Sequence, residues 1–177
     1  MGKRSEFEHR KNDFYPTPIE AVRPLIPFLP KEKFSFYEPC AGDGRLVTYL
    51  QSLSAGISIG HTDIDPQCDW VGCKDAFDVS VPHTTNYIIT NPPWSRWLLH
   101  PMIEHFSKQA PTWLLFDADW MHTKQAVPYL TKLKKVVSIG RVKWIENSKH
   151  TGKDNSCWYL FVDADVTTEF YPNPKWR

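Results

Sequence analysis

Short apolar runs alternate with longer amphipathic segments along this chain of 177 residues. Short runs rich in β-branched and aromatic residues predict strands, and apolar positions that repeat at helical spacing predict helices. The predicted strands are 35–38, 56–63, 71–75, 86–90, 112–117, 136–144 and 156–163. The predicted helices are 18–28, 45–54, 97–109 and 124–133.

Strands and helices in this alternation are typical of an α/β protein whose mostly parallel sheet is covered by helices on both faces. The last two predicted strands have no helix between them, so we expect an antiparallel C-terminal hairpin with residues 145–155 at its tip. Because 41% of the residues are hydrophobic, the chain can form a substantial core. We therefore expect one domain over residues 1–177.

The tetrapeptide Asn91-Pro92-Pro93-Trp94 follows the apolar run 87–90, at the carboxyl end of a predicted strand. Ligands of open α/β sheets bind outside this end of the strands. Because proline has a restricted φ and no N–H, the turn presents its carbonyl oxygens at fixed positions. With the amide of Asn91 and the indole of Trp94, it can hold a planar amino group that attacks a methyl donor. A proline-stiffened loop with one surface tryptophan is the alternative interpretation.

A second motif, Glu-Pro-Cys-Ala-Gly-Asp-Gly at residues 38–44, lies between a predicted strand and a predicted helix. Gly42 and Gly44 lack Cβ atoms, so a ligand can approach the backbone and the free N–H groups of the helix start. Pyrophosphate-binding turns avoid a carboxylate, whereas Glu38 favours a cationic amino acid moiety. The alternative is that both glycines serve only to turn the chain.

These motifs resemble those of class I S-adenosylmethionine-dependent methyltransferases, in particular the enzymes that methylate the exocyclic amine of adenine in DNA. Segments similar to the family's elements occur in order at residues 13–18, 38–44, 60–66, 75–77 and 91–94. The resemblance covers residues 13–165 and implies a Rossmann-like, mostly parallel sheet of seven strands. The Lys-Trp-Ile stretch at 143–145 and the Gly-Lys-Asp-Asn-Ser-Cys-Trp-Tyr stretch at 152–159 resemble those of small phage or prophage methyltransferases.

The resemblance implies S-adenosylmethionine as cofactor, with Asp63 on its ribose and Asp75 on its adenine amine. Asp65 is the competing candidate for the ribose, and both Asp63 and Asp75 have an alternative role as turn-capping carboxylates. The implied cofactor-binding residues are Tyr15, Thr17, Glu38, Pro39, Ala41, Gly42, Gly44, Asp63, Ile64, Asp75, Phe77 and Asn91. The implied catalytic residues are Asn91, Pro92, Pro93 and Trp94. In this scheme the flipped adenine stacks on Trp94, and its amine is held by Asn91 and the Pro92 carbonyl.

Charge along the chain bears on the expected DNA partner. The net charge is only +1, so attraction to DNA has to come from local clusters of cations. Lysine and arginine cluster between residues 132 and 153, near aromatic residues that suit unstacked bases. Solvated surface cations are the alternative interpretation. The candidate nucleic-acid-binding residues are Arg141, Lys143, Trp144, Lys149, Lys153 and Trp158.

Membrane and metal binding have no support in the sequence. No apolar run approaches the roughly 18 residues of a membrane span, and the chain does not open with a signal peptide. Cys40, Cys68, Cys73 and Cys157 form no Cys-x-x-Cys pair, so we expect reduced thiols and no metal site. We expect a cytoplasmic protein, in a bacterial host if phage-encoded.

Target recognition and the choice of substrate leave alternatives open. The predicted fold uses nearly every residue, so we expect no separate target-recognition domain. Discrimination would then come from residues 145–155, the segment after Trp94, the termini or a protein partner. Methylation of RNA adenine or of protein glutamine is an alternative function, because both offer a planar amino group. A non-catalytic binding module is another, although the intact Asn91 and both glycines argue against it.

Overall fold

The computed structural model describes residues 14–145 and 151–176. Its strands are β1 (Phe34–Glu38), β2 (Gly56–Asp63), β3 (Gly72–Cys73), β4 (Tyr87–Thr90), β5 (Thr112–Asp117), β6 (Leu133–Arg141), β7 (Asn155–Phe161) and β8 (Glu169–Tyr171). Its α-helices are α1 (Ile19–Val22), α2 (Arg45–Leu53), α3 (Arg96–Ser107) and α4 (Val127–Leu130). Short 3-10 helices cover Arg23–Phe28, Ala76–Asp78, Ala118–His122, Lys124–Ala126 and Pro174–Trp176.

The strands form one mixed sheet in the order β3-β2-β1-β4-β5-β7-β6-β8. Parallel pairing joins β3, β2, β1, β4 and β5, so the carboxyl ends of these strands meet at one edge of the sheet. We call this the carboxyl edge. β7 runs antiparallel between β5 and β6, which confirms the predicted C-terminal hairpin.

The predicted number of strands is wrong, because the described residues form eight strands and the prediction has seven. The additional strand is β8, which pairs in parallel with β6 from Lys135 opposite Glu169 to Val137 opposite Tyr171. Its three residues are too few for an alternating pattern to predict a strand. Pairing with β6 therefore defines this strand.

Prolines shorten two of the predicted helices. The segment 18–28 is α-helical only in α1 and continues as a 3-10 helix that contains Pro24 and Pro27. The segment 124–133 contains Pro128, and only a 3-10 turn and the short helix α4 form there. Proline lacks the N–H that a continuous α-helix needs, so the helical pattern of these segments overstates their length.

Two hydrophobic clusters cover the two faces of the sheet, which confirms the α/β class with helices on both faces. In β5, Leu114 and Phe116 pack with Ile103 of α3 on one face. Trp113 of the same strand packs with Leu50 of α2 on the other face, because successive strand residues point to opposite sides. None of the helices in the described ranges is long and apolar enough to cross a membrane.

The prediction that Trp158 contacts nucleic acid is wrong. Its side chain is 0% exposed, and its Nε1 donates a hydrogen bond to the Ala21 carbonyl at 2.7 Å. The physical reason is the position of β7 between β5 and β6, where residues 156–161 are buried on both faces of the sheet. A ring in this position contributes to the core and cannot stack on a base.

Trp158 and Trp113 offer a matched test of how a buried indole N–H affects stability. Both rings are fully buried in the same cluster, but Nε1 of Trp113 has no hydrogen-bond partner among the described residues. Trp158→Phe leaves the Ala21 carbonyl without this donor, at a cost of about 1–3 kcal/mol beyond the cavity left by the smaller ring. We expect urea unfolding to give a lower free energy of unfolding for Trp158→Phe than for Trp113→Phe. Equal free energies of unfolding for the two variants would contradict a stabilising role of the Trp158 hydrogen bond.

Candidate active site

A cavity of about 1050 Å³ opens at the carboxyl edge of the sheet. Its walls come from the N-terminal segment 14–17, the loop after β1, the end of β2, the 3-10 helix Ala76–Asp78 and the loop between β4 and α3. Most of the predicted site residues line it, namely Tyr15, Thr17, Glu38, Pro39, Ala41, Gly42, Asp63, Ile64, Asp75, Phe77, Asn91 and Pro93. The fold thus brings segments far apart in sequence to one site.

The loop after β1 is held by the carboxylate of Asp63 at the end of β2. Gly42 N donates to Asp63 Oδ2 at 2.8 Å, and Asp65 N donates to Oδ1 at 2.8 Å. Gly42 has a φ of 54°, and a Cβ there would come within 2.5 Å of the Phe14 ring. Asp63 therefore caps backbone turns, and each carboxylate oxygen keeps a further lone pair for a ligand hydroxyl.

Three predicted site residues, Gly44, Pro92 and Trp94, do not line the cavity. Gly44 is the N-cap of α2 with a φ of 76°, and a Cβ there would lie 2.0 Å from the Trp70 ring. The structure therefore gives Gly44 a conformational role at the start of the helix. Pro92 is buried within the turn that carries Asn91.

Glu38 is the buried acid of the cavity. Its side chain is 1% exposed, and Oε2 has no hydrogen-bond partner among the described residues. Burial raises the pKa of Glu38 well above its ordinary value, the carboxylates of Asp63 and Asp43 raise it further, and the Val47 N–H opposes them. A buried carboxyl oxygen without a partner costs free energy. A cationic amino group in the cavity would supply the partner, so this residue fits the methionine end of S-adenosylmethionine.

Asp75 lies on the cavity lining with two partly exposed apolar side chains. Ile64 is 60% exposed and Phe77 is 37% exposed. Asp75 Oδ1 accepts the Phe77 N–H at 2.9 Å and so caps the 3-10 helix that follows. A carboxylate has further acceptor positions, so this set suits a flat ring with an amino group on its edge.

The side-chain amide of Asn91 is held in one orientation. Its Nδ2 donates to the Tyr15 carbonyl and to Thr17 Oγ1, both at 3.2 Å. Its Oδ1 accepts from Trp94 Nε1 at 3.3 Å, and this donor also lies 3.2 Å from the Leu115 carbonyl. Both amide hydrogens are thus engaged, while the amide oxygen has a second lone pair. Oδ1 is therefore the atom that Asn91 can offer to a ligand.

Trp94 connects this turn to part of the predicted nucleic-acid surface. Its half-buried ring packs edge-on against Trp144, with ring centroids 5.5 Å apart and an interplanar angle of 88°. The cations Arg141, Lys143 and Lys153 are exposed to solvent. Lys149, which belongs to the same predicted surface, lies outside the described residues.

Thirteen lining residues are absent from the predicted site, namely Phe14, Pro16, Cys40, Asp43, Arg45, Leu46, Asp65, Gln67, Ala76, Ser95, Trp97, Leu98 and Met102. Trp97 is 75% exposed, which is unusual for so large an apolar ring. It follows Trp94 by three residues and lies in the first turn of α3. Its place beside the tetrapeptide is the sequence signal that could have marked it.

No protein-family model matches the chain, and no curated protein matches it. Solved structures do share its fold. A protein from Pyrococcus horikoshii described as an RNA methyltransferase has a TM-score of 0.63 at 15% identity, over 93% of this chain and 94% of that one. A protein from Listeria monocytogenes described as a class I S-adenosylmethionine-dependent methyltransferase has a TM-score of 0.56 at 12% identity, over 87% and 61%. The methyltransferase subunit of a type I restriction-modification system from Streptococcus thermophilus has a TM-score of 0.57 at 10% identity, over 89% and 47%.

These likenesses show that the chain has the fold of class I S-adenosylmethionine-dependent methyltransferases. This chain spans 47% of the length of the Streptococcus subunit and 61% of the Listeria protein. Identities this low establish the fold alone. The reaction and the substrate have to be argued from the geometry of the site.

Glu38→Gln tests whether the buried carboxyl lowers the stability of the ligand-free protein. Its pKa in the folded state lies above the ordinary value of 4.5, so the unfolded chain loses the proton at lower pH. Stability therefore falls as pH rises above that value, by up to about 1.4 kcal/mol per pH unit until the folded-state pKa is reached. We expect Glu38→Gln to melt at a higher temperature than the wild type at about pH 7.5, with a smaller difference near pH 4. Thermal unfolding across pH measures this, and a difference independent of pH would contradict it.

Proposed function

We propose that this protein transfers a methyl group from S-adenosylmethionine to the exocyclic amine of adenine in DNA. The observation that carries the proposal is the oriented amide of Asn91, whose Oδ1 keeps an acceptor position at a cavity that also contains the buried acid Glu38, with no partner for its Oε2 among the described residues. Proteins with this fold include one described as an RNA methyltransferase and a subunit of a restriction-modification system. Their names support a nucleic acid as substrate.

The donor and acceptor groups around the cavity fit S-adenosylmethionine. Glu38 would pair with its ammonium group, and Asp63 would accept from the ribose hydroxyls. Asp75 would accept from its adenine amine, with Ile64 and Phe77 on the faces of the ring. The loop at residues 38–44 would face the methionine chain, because a glycine there leaves its backbone accessible.

Thr17 connects cofactor binding to the catalytic amide. Its side chain is buried on the cavity lining, where Oγ1 accepts from Asn91 Nδ2. A hydroxyl that accepts one hydrogen bond can still donate its own hydrogen. We assign that hydrogen to the carboxylate of the cofactor's methionine, with Tyr15 as a neighbouring wall of the pocket.

Positioning of the amine is the main catalytic task in this scheme. When bound, S-adenosylmethionine supplies a methyl group activated by its sulfonium centre. Asn91 Oδ1 and the Pro92 carbonyl accept the two hydrogens of the target amine, and Pro93 keeps the turn rigid. These acceptors stabilise the positive charge that develops on the nitrogen, and the proton it releases afterwards passes to water. No side chain with a shifted pKa is required.

An adenine inside a duplex has to leave the base stack before its amine can enter the cavity. In this scheme the extruded base would stack on the Trp94 ring, which packs against Trp144 in a T-shaped arrangement. The exposed cations Arg141, Lys143 and Lys153 would contact the phosphates on either side of the extruded nucleotide. The surface beside the turn thus has the features that an extruded base needs.

RNA adenine is the second candidate substrate. One structure that matches along nearly its whole length is described as an RNA methyltransferase. An adenine amine has the same geometry in RNA and DNA, so the site itself does not favour either. A glutamine side chain in a protein also has a planar amino group and is the third candidate.

One assay separates these candidates. The purified protein is incubated with labelled S-adenosylmethionine and, separately, with duplex DNA, single-stranded DNA, RNA and bulk protein. We expect label in DNA, recovered as methylated adenine after digestion to nucleosides. Label confined to RNA or to protein would reassign the substrate, and no label in any of the four would contradict methyl transfer.

Asn91→Ala tests the contact to the amine. We expect turnover to fall by about a hundredfold or more, because a preorganised acceptor for the developing charge is lost. Steady-state kinetics with the best substrate measures this, and calorimetry with the cofactor checks that the cavity is intact. Turnover within about threefold of the wild type would mean that other groups hold the amine.

Two substitutions of Thr17 test whether its hydroxyl orients the side chain of Asn91. Thr17→Val removes the hydroxyl that accepts from Asn91 Nδ2, whereas Thr17→Ser keeps it. We expect turnover of Thr17→Val to fall about tenfold, the effect of one hydrogen bond, and turnover of Thr17→Ser to stay near that of the wild type. Equal turnover in the two variants would contradict a role of Thr17 in positioning.

A further inference from the structure

A second cavity, of about 630 Å³, lies on one face of β6 and β7. Val136, Ser138 and Cys157 of these strands line it, together with the 3-10 helix Ala118–His122 and residues of the C-terminal segment 170–176. Its volume is within the range of small-ligand sites, about 300–1,000 Å³. The 3-10 helix follows β5 directly, so this C-terminal groove begins beside the carboxyl edge.

Trp176 is a fixed part of the C-terminal groove. Buried Asn173 donates from Nδ2 to the Ile139 carbonyl at 3.2 Å and accepts from Lys175 N at 3.0 Å, while Trp176 N donates to the Asn173 carbonyl at 2.9 Å. Gly140 has a φ of 75°, and a Cβ there would lie 3.0 Å from the Trp176 ring. The ring therefore lies against β6 at this glycine. It nevertheless remains 65% exposed.

A second exposed ring and several polar groups complete the lining. Phe170 is also 65% exposed, and large apolar rings grouped at an open groove mark a binding surface. Asn155 and His122 supply donors and acceptors that can form hydrogen bonds to the edge of a base. Burial raises the pKa of Cys157 to about 11, so its thiol is neutral at physiological pH and does not act as a nucleophile.

Charge near the groove favours a nucleic-acid strand. Arg141 follows Gly140, Lys175 precedes Trp176, and both cations are exposed. Aromatic faces among cations suit single-stranded nucleic acid, whose bases stack while its phosphates meet the charges. Asp119 also lines the groove, so an amino-bearing base fits inside better than a phosphate does.

We propose that the C-terminal groove binds one unstacked base of the strand that carries the methylation target, at a position away from the target itself. The base stacks on Trp176, and its edge faces the polar lining. The inference rests on the proposed function only in taking a nucleic-acid strand as substrate. It gives the chain a contact outside the catalytic cavity through which neighbouring sequence can influence binding.

Binding of single-stranded oligonucleotides to two variants tests the groove. Trp176→Ala removes the ring, and Trp176→Phe keeps a flat ring and serves as the matched control. We expect fluorescence anisotropy without cofactor to show about tenfold weaker binding for Trp176→Ala and binding within about threefold of the wild type for Trp176→Phe, as the loss of one stacked base would give. Unchanged cofactor affinity and melting temperature check that both variants are folded.

Oligonucleotides with one abasic position locate the stacked base. In the wild type we expect one abasic position outside the target adenine to weaken binding, and in Trp176→Ala we expect the same position to have no effect. Equal affinities of the three proteins, or the same abasic profile in all, would overturn the proposal. So would failure of the wild type to bind either DNA or RNA strands, or a change of oligomeric state in Trp176→Ala, which would make the groove a protein contact.

The experiment separates the groove from the proposed reaction, because binding is measured without methyl transfer. Trp176-dependent binding in a protein that methylates no nucleic acid would support the groove and contradict the proposed function. Methylation of nucleic acid together with identical binding by all three proteins would support the proposed function and contradict the role of the groove.

Discussion

The hydrogen bonds of one amide, that of Asn91, organise the carboxyl edge of the sheet. Its two hydrogens tie the Tyr15 carbonyl and Thr17 Oγ1 to the end of β4, and its oxygen accepts from Trp94. The segment 14–18 has no regular secondary structure, so side-chain contacts such as these have to hold it over the cavity. The proposed acceptor of the amine therefore also holds this segment at the cavity. The amide is therefore already oriented in the ligand-free protein.

Carboxylates near the same edge have different roles because their surroundings differ. Asp63 accepts two backbone N–H groups, which satisfies its charge while leaving acceptor capacity. Burial and the nearby carboxylates raise the pKa of Glu38, whose Oε2 has no partner in the part of the chain that the structure describes. The ligand-free site thus carries an unfavourable desolvation that a bound cation would relieve. Binding and local stability are coupled through this one buried acid.

The order of strands explains why two cavities lie close to one edge. β7 runs antiparallel to β5 and to β6, so β6 ends and β7 begins at the carboxyl edge. β8 then runs parallel to β6 and carries the C-terminal segment in the same direction, toward Gly140. The proposed catalytic turn and the C-terminal groove consequently flank the end of β5.

Local patterns in the sequence determined the elements and motifs whose physics is local. The bounds of β2 and β5 agree with the predicted strands 56–63 and 112–117, and the tetrapeptide at 91–94 follows a strand as predicted. Twelve of the predicted site residues line one cavity, because loops at the ends of parallel strands meet at one edge. Where the prediction overstated helix length, the prolines were already visible in the sequence.

Only the tertiary structure decided what covers each face and which distant segments meet. Trp158 is buried because its strand lies inside the sheet, and Gly44 is required because Trp70 lies over it. β8 and the setting of Trp176 depend on pairing with β6 across about thirty residues of chain. Alternation along a strand shows which side chains share a face. It does not show what covers that face, because the cover comes from another part of the chain.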